Sequence, residues 1–223
     1  MQEPRREPGE TGHRLWADIG EGVRFVYQNP IIRTMTLATL VANFFTMALE
    51  PVFLIYIART LHLAPLYIGL ILSATGVGAF IGAATSTRIS RLLPLGRLLT
   101  ATSIVVGLAA LIVPAATYTP KPAAVVLLIL MHLIDGVAVI ACNVNLRSYR
   151  AAITPDAMQG RMTASIRLVV VGLSPIGSIV GGLIGTWAGV QTALIVIALG
   201  ILSAAGIIGF SPIRKVERIP SLP

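Results

Sequence analysis

Two acids and one histidine stand inside otherwise apolar stretches, and their spacing gives each of them polar company. Glu50 ends the series Thr36, Thr39, Asn43, Thr46, Glu50, which at about 100° per residue falls on one narrow helical face. His132, Asp135, Asn143 and Arg147 form a second such series in another apolar stretch. A carboxylate near the centre of a hydrocarbon span costs about 2.5–3.5 kcal/mol on insertion scales, so each acid requires a wet cavity, a partner group or a proton. Pro51 directly follows Glu50 and removes a backbone hydrogen bond, which places a kink at that level. His132 and Asp135 are neighbours on a helix surface, suited to sharing a proton or holding a polar substrate group. The chemistry on offer is binding and proton exchange along a lined path. Glu50 and Asp135 are the candidate proton or cationic-substrate sites, with Asn43, His132 and Asn143 as polar lining. A plainer reading stands beside it: Thr and Asn also hydrogen-bond helix to helix, a His–Asp pair can be satisfied internally, and Arg147 can snorkel to an interface.

Other chemistries find little footing. An intramembrane serine protease needs a nucleophile paired with His132, and no Gly-x-Ser-x-Gly elbow occurs; nor does a Gly-x-x-x-x-Gly-Lys nucleotide loop. Catalysis is not expected. Cys142 is the single cysteine and lies in an apolar run, so neither a disulfide framework nor a cysteine metal site can be built within one chain. No cofactor and no metal are expected. A net charge of +8 would suit nucleic acid, but the basic residues sit at the ends of apolar runs and not on one amphipathic surface, so no nucleic-acid partner is expected.

The elements that must position these residues are membrane helices. With 55% hydrophobic and 12% charged residues, the chain falls well below the roughly 25% charge of soluble domains. About 20 apolar residues cross the hydrocarbon layer as a helix, and six stretches qualify, near 34–58, 66–87, 98–116, 123–146, 164–187 and 190–210. The fold class expected is all-α, a six-helix integral membrane bundle. Fifteen of the seventeen Lys and Arg residues fall in alternate gaps, leaving only Arg59 and Lys121 in the others, which predicts cytoplasmic N- and C-termini. The segments RISRLLPLGR and RSYRAAITPDAMQGR are expected as the longer, basic inner loops, and TYTPKP and the region of Gly189 as short outer turns. Leu15, Trp16, Ile19, Val23 and Val26 recur at helical spacing before an Asn29-Pro30 stop, predicting an amphipathic interfacial helix over 15–30. The expected organisation is a disordered N-terminus at 1–14, this helix, the six-span domain at 31–211 and a cytoplasmic tail at 212–223.

Small residues mark packing surfaces. Gly177, Gly181 and Gly185 recur every four residues in the fifth span, and Gly78 and Gly82 do so in the second, ridges that let helix backbones approach. Pro175 predicts a bend in the fifth span. Spans three and six are nearly uniform in Leu, Ile, Val, Ala and Gly, which predicts that they face lipid while one, two, four and five lie inside.

Two inner helices and one outer, then the same again, resembles one six-helix half of a major facilitator superfamily transporter. The stretch IGEGVRFVYQNPIIRTMTLATLVANFF (Ile19 to Phe45) resembles the join between the central loop and seventh helix of its drug-efflux members. GAATSTRISRLLPLGRLL (Gly82 to Leu99) is similar to a degenerate second copy of the family's glycine-and-arginine loop motif, with Arg88, Gly96 and Arg97 in place and the usual acid missing. NLRSYRAAITPDAMQGRMTASIRLVVVGLSPIGSIVGGLIG (Asn145 to Gly185) resembles the tenth-to-eleventh helix region of macrolide and siderophore exporters. The resemblance implies the C-terminal half of a twelve-helix transporter, with Met1 inside the former central loop. It implies proton-coupled efflux of amphipathic small molecules such as drugs or siderophores, in the bacterial inner (plasma) membrane. Its partners would be lipid, a small-molecule substrate, and a separate N-terminal half or a second copy of the chain. The alternative expectation is a truncated, non-transporting remnant or an accessory partner of a full-length transporter.

Overall fold

The computed structural model describes residues 11–211, and what it describes is helical throughout, joined by short turns. Six helical stretches are long and apolar enough to cross a membrane. The first is α2 (Pro30–Ile55) continued by a π-helical turn, Tyr56–Thr60; the second is α3 (Pro65–Leu92); the third is α4 (Leu95–Ile112) with a tight 3₁₀ end, Val113–Tyr118. The fourth is α5 (Lys121–Ile153), the fifth is α6 (Asp156–Gly172) followed by α7 (Ser174–Ala188), and the sixth is α8 (Val190–Gly209). Ahead of them lies α1 (Thr11–Gln28). The expected six-span all-α bundle is present.

Local chemistry sets the breaks. Asn29 ends α1 and caps α2, its Oδ1 accepting from the N–H groups of Ile31 at 3.0 Å and Ile32 at 3.2 Å, while Pro30 needs no donor partner there. Gly189, at φ +84°, makes the tight turn between the last two spans, a conformation that a side chain would oppose. The expected bend in the fifth span is a break at Leu173, just ahead of Ser174-Pro175.

Three expectations change. The segments read as long inner loops are mostly helix: only Leu93-Pro94 and Thr154-Pro155 interrupt it. At about 1.5 Å per residue α3 and α5 run well past the roughly 30 Å hydrocarbon layer, and their protruding ends carry the basic residues. Charge and polarity at a helix end do not unwind it, whereas the two prolines do. Secondly, Thr11 to Arg14 belong to α1, so the helix reaches back into the stretch assigned to a disordered terminus; residues 1–10 and 212–223 lie outside the described residues. A hydrophilic turn of an amphipathic helix and a hydrophilic coil have the same composition. Thirdly, the sixth span does not serve lipid alone: Ile195 and Leu199 are exposed, but its other face is buried. It packs on α2, α4 and α7, and 44% of its apolar window is buried, against 11% in the fifth span. Uniformly apolar helices suit a packed interior as well as lipid, because lipid tails are as apolar as leucine.

Packing rests on backbone approach. α3 lies along α5, and α2 lies between α7 and α8. An added Cβ at Gly78 would strike the Leu133 carbonyl, and one at Gly82 would come within 2.6 Å of the Val137 carbonyl. Across the same seam Gly136 faces the Thr75 carbonyl. Gly177 and Gly181 admit the backbone of α2 at Phe44 and Ala48, whereas a methyl at Gly185 would meet only the Val52 side chain at 3.6 Å. Pro51 leaves the Met47 carbonyl without its usual backbone donor, and Ser178 of α7 supplies one, its Oγ donating at 3.0 Å. At the far end the Tyr56 hydroxyl meets the Val113 carbonyl at 3.0 Å and Thr117 Oγ1 at 2.8 Å, and Gln191 also donates to Thr117.

Two outcomes are expected from thermal unfolding of the detergent-purified protein. Gly78→Ala and Gly181→Ala each lower stability by about 1–3 kcal/mol through overpacking, while Gly185→Ala changes little. Ser178→Ala costs about 0.5–1.5 kcal/mol, and the loss shrinks in a Pro51→Ala background, where the restored N–H reclaims the Met47 carbonyl. Equal losses in both backgrounds would contradict that pairing.

Candidate functional site

Residues from both polar series, Thr39, Asn43 and Thr46 from one and Asn143 from the other, line one cavity. It is a partly open space of about 180 Å³ between α2, α4, α5 and α8. α2 contributes Thr39, Asn43 and Thr46, and α5 contributes Val139, Cys142 and Asn143. Leu99, Thr102, Ser103 and Val106 of α4 and Ile201 and Ile208 of α8 complete the wall. These lie in the half of the bundle that carries the basic helix ends, hereafter the basic end. The cavity sits where two apolar clusters part: one around Tyr56, Ile71, Leu128 and Leu194 toward the opposite end, the other around Met35, Leu95, Leu146 and Tyr149.

Most hydroxyl protons in this wall are already committed. Thr39 donates to the Met35 carbonyl at 2.7 Å, Thr102 to Leu98 at 2.9 Å and Ser103 to Leu99 at 2.8 Å. What remains for a ligand on these oxygens is lone pairs. Asn43 is likewise engaged, its Nδ2 donating to the Val170 carbonyl and to Ser174 Oγ, both at 3.0 Å, across the break between α6 and α7. The residue read as lining therefore does two jobs, leaving its Oδ1 toward other partners. Asn143 is half-buried in the wall and makes no hydrogen bond among the described residues.

The acids continue the seams beyond the cavity. Asp135, half-buried, lies one turn from Ala138 and Val139 on α5; Glu50, exposed, lies one turn from Thr46 on α2. Neither has a hydrogen bond or ion pair among the described residues. His132 turns elsewhere: its Nδ1 meets the Leu128 carbonyl at 2.9 Å, and its ring lies 4.8 Å from that of Phe53, tilted by 38°. No hydrogen bond joins it to Asp135. The structure thus gathers Asn43 and Asn143 at the cavity, sets Asp135 and Glu50 one turn above it on facing helices, and packs His132 against α2.

The loop-motif residues bracket the turn between α3 and α4. Arg88 and Arg97 are exposed and Gly96 is buried at the start of α4. Neither arginine has an ionic partner among the described residues, in keeping with the missing acid. A true inter-helix ion pair lies elsewhere, Arg161 of α6 with Glu21 of α1 at 2.6 Å. It clamps α1 on α6, where Phe25 and Val26 pack against the cluster of Ile32, Met162, Ile166 and Val170. The side chains of Leu15, Trp16 and Ile19, expected on the apolar face of this helix, lie outside the described ones.

Sequence reasoning passed over three contributors. Thr102 and Ser103 reach the cavity from a span read as lipid-facing. Arg150, one of a basic cluster, is buried behind the cavity; its fit to the same face as Cys142 and Leu146 was the available signal.

Comparison with known proteins adds kinship to this geometry. Residues 5–223 match the family described as transmembrane secretion effector. The chain is also similar to the multidrug efflux pump Tap of Mycolicibacterium fortuitum, with 26% identity over 196 residues, covering 88% of this chain and 46% of that protein. The chain therefore spans about half the length of the curated relative it matches.

Proposed function

Because the chain belongs to the transmembrane secretion effector family of the major facilitator superfamily, we propose that its six spans form one side of a proton-coupled efflux path for amphipathic small molecules. The observation that carries this reading is the convergence of the α2 and α5 seams on a single cavity, each with an unpaired acid one turn beyond. Asp135 and Glu50 are the groups that exchange protons or pair with cationic cargo. Asn43 and Asn143 offer hydrogen bonds, and the apolar wall takes the hydrophobic body of the cargo. Transport by alternating access needs a second set of helices across the site. Glu50 supports that requirement, since an exposed carboxylate at this depth would otherwise face hydrocarbon. Six further spans would cover it. With the basic helix ends held on the cytoplasmic side, the cavity loads from within the cell, and the location is the bacterial inner membrane.

Ethidium retention in cells tests the proposal. Cells making the protein together with a partner that supplies six spans should retain less dye than cells with an empty vector. The double variant Glu50→Gln, Asp135→Asn should retain as much as the empty vector, as should the unaltered protein after an uncoupler collapses the proton gradient. Unchanged export by the double variant would remove both carboxyls from the mechanism.

A further inference from the structure

Arg150 is a buried cation without an anionic partner among the described residues. Its side chain is on α5 at the basic end, and only 9% of the residue is exposed. Among the described residues it makes one hydrogen bond, a long one, Nη2 to Thr39 Oγ1 at 3.4 Å. Thr39 has given its own proton to Met35, so it receives this bond as an acceptor. The Nε of Arg150 is buried without a partner, and so is Thr36 Oγ1, one turn along α2 from Thr39. No carboxylate pairs with Arg150 among the described residues; the nearby charge on its own helix is another cation, Arg147, which is exposed.

A guanidinium carries five donors in a planar fork suited to the paired oxygens of a carboxylate, sulfonate or phosphate. Largely buried, with its Nε unpartnered and one long bond to protein among the described residues, it is stabilised by an anion far more than by water or by a neutral group. Its place decides what that anion is attached to. Thr39 is part of the cavity wall, so the guanidinium that it accepts from stands just behind that wall, and the neighbouring surface of Met35, Leu99 and Leu146 is apolar. We propose that Arg150, oriented by the Thr39 oxygen and with the uncommitted Thr36 hydroxyl one turn from it, forms an anion site at the basic end of the cavity. It takes the charged head of an amphipathic organic anion whose hydrophobic body lies along Leu99 and Leu146. Calling that occupant cargo rests on the transport reading; the site itself does not, because an anionic lipid headgroup has the same chemistry.

The test uses the full chain purified in a neutral detergent and two fluorescent probes that share their rings, anilinonaphthalene sulfonate and uncharged phenylnaphthylamine. Protein-dependent binding of the sulfonate should weaken about tenfold or more in Arg150→Gln. Arg150→Lys should recover part of it, Thr39→Val should weaken it less, and phenylnaphthylamine should bind all forms alike. Arg147→Gln, which removes an exposed charge on the same helix, should leave sulfonate binding near that of the unaltered protein. Equal sulfonate binding in Arg150→Gln, equal loss of both probes, or an equal loss in Arg147→Gln would overturn the site. Where Arg150→Gln unfolds, the Arg150→Lys and Thr39→Val pair decides alone, unchanged sulfonate binding in both being contrary. Displacement of the sulfonate by phosphatidylglycerol but not phosphatidylcholine would keep the site and assign it to lipid. Absence of ethidium export in cells, by contrast, would bear only on transport.

Discussion

Hydrocarbon offers no water to a stranded polar group, so a donor or acceptor that its own helix does not satisfy has to find its partner on a neighbouring helix or on a ligand. That constraint accounts for much of the architecture. Pro51 frees a carbonyl and Ser178 answers it. The break before Pro175 frees another, and Asn43 answers that one while bonding Ser174. Tyr56 bonds the carbonyl of Val113 where α4 tightens into its 3₁₀ end. The irregular points of the spans are therefore also the points where helices are fastened together.

Among the described residues, the buried side-chain polar atoms without a partner are Thr36 Oγ1 and Arg150 Nε, both at the basic end of the cavity. Asn143 in the cavity wall and Asp135 and Glu50 a turn beyond it also make no hydrogen bond there. Unused polar capacity beside a cavity is what a binding site requires. The acids and the buried arginine lie toward different ends of it, so an amphipathic molecule carrying both charges would find complementary groups at each.

Much of this was legible in the sequence, because a span of about 20 apolar residues and a seam at helical spacing are local patterns. The six spans, the stop at Asn29-Pro30, the bend at Pro175 and the close-packing glycines Gly78, Gly82, Gly177 and Gly181 all follow from such patterns. What depended on partners was not legible. Composition cannot say which face of an apolar helix meets protein, so the buried face of α8 was not foreseen. A hydrophilic segment between spans reads as a loop even where the helix continues, as in α3 and α5. His132 was placed beside Asp135 by spacing, but its ring found Phe53 on another helix. Arg150 was hidden in a cluster whose other members sit at the surface.

The central claim is that the polar seams of α2 and α5 face a common water-accessible cavity. Cysteine labelling in membranes reads this most directly. In a Cys142→Ser background, Thr46→Cys, Asn143→Cys and Val139→Cys should react with a charged methanethiosulfonate reagent, whereas Ile195→Cys and Leu199→Cys, on the exposed apolar face of α8, should stay unmodified. Inert cavity positions, or labelling on α8 as fast as at Asn143→Cys, would contradict the account.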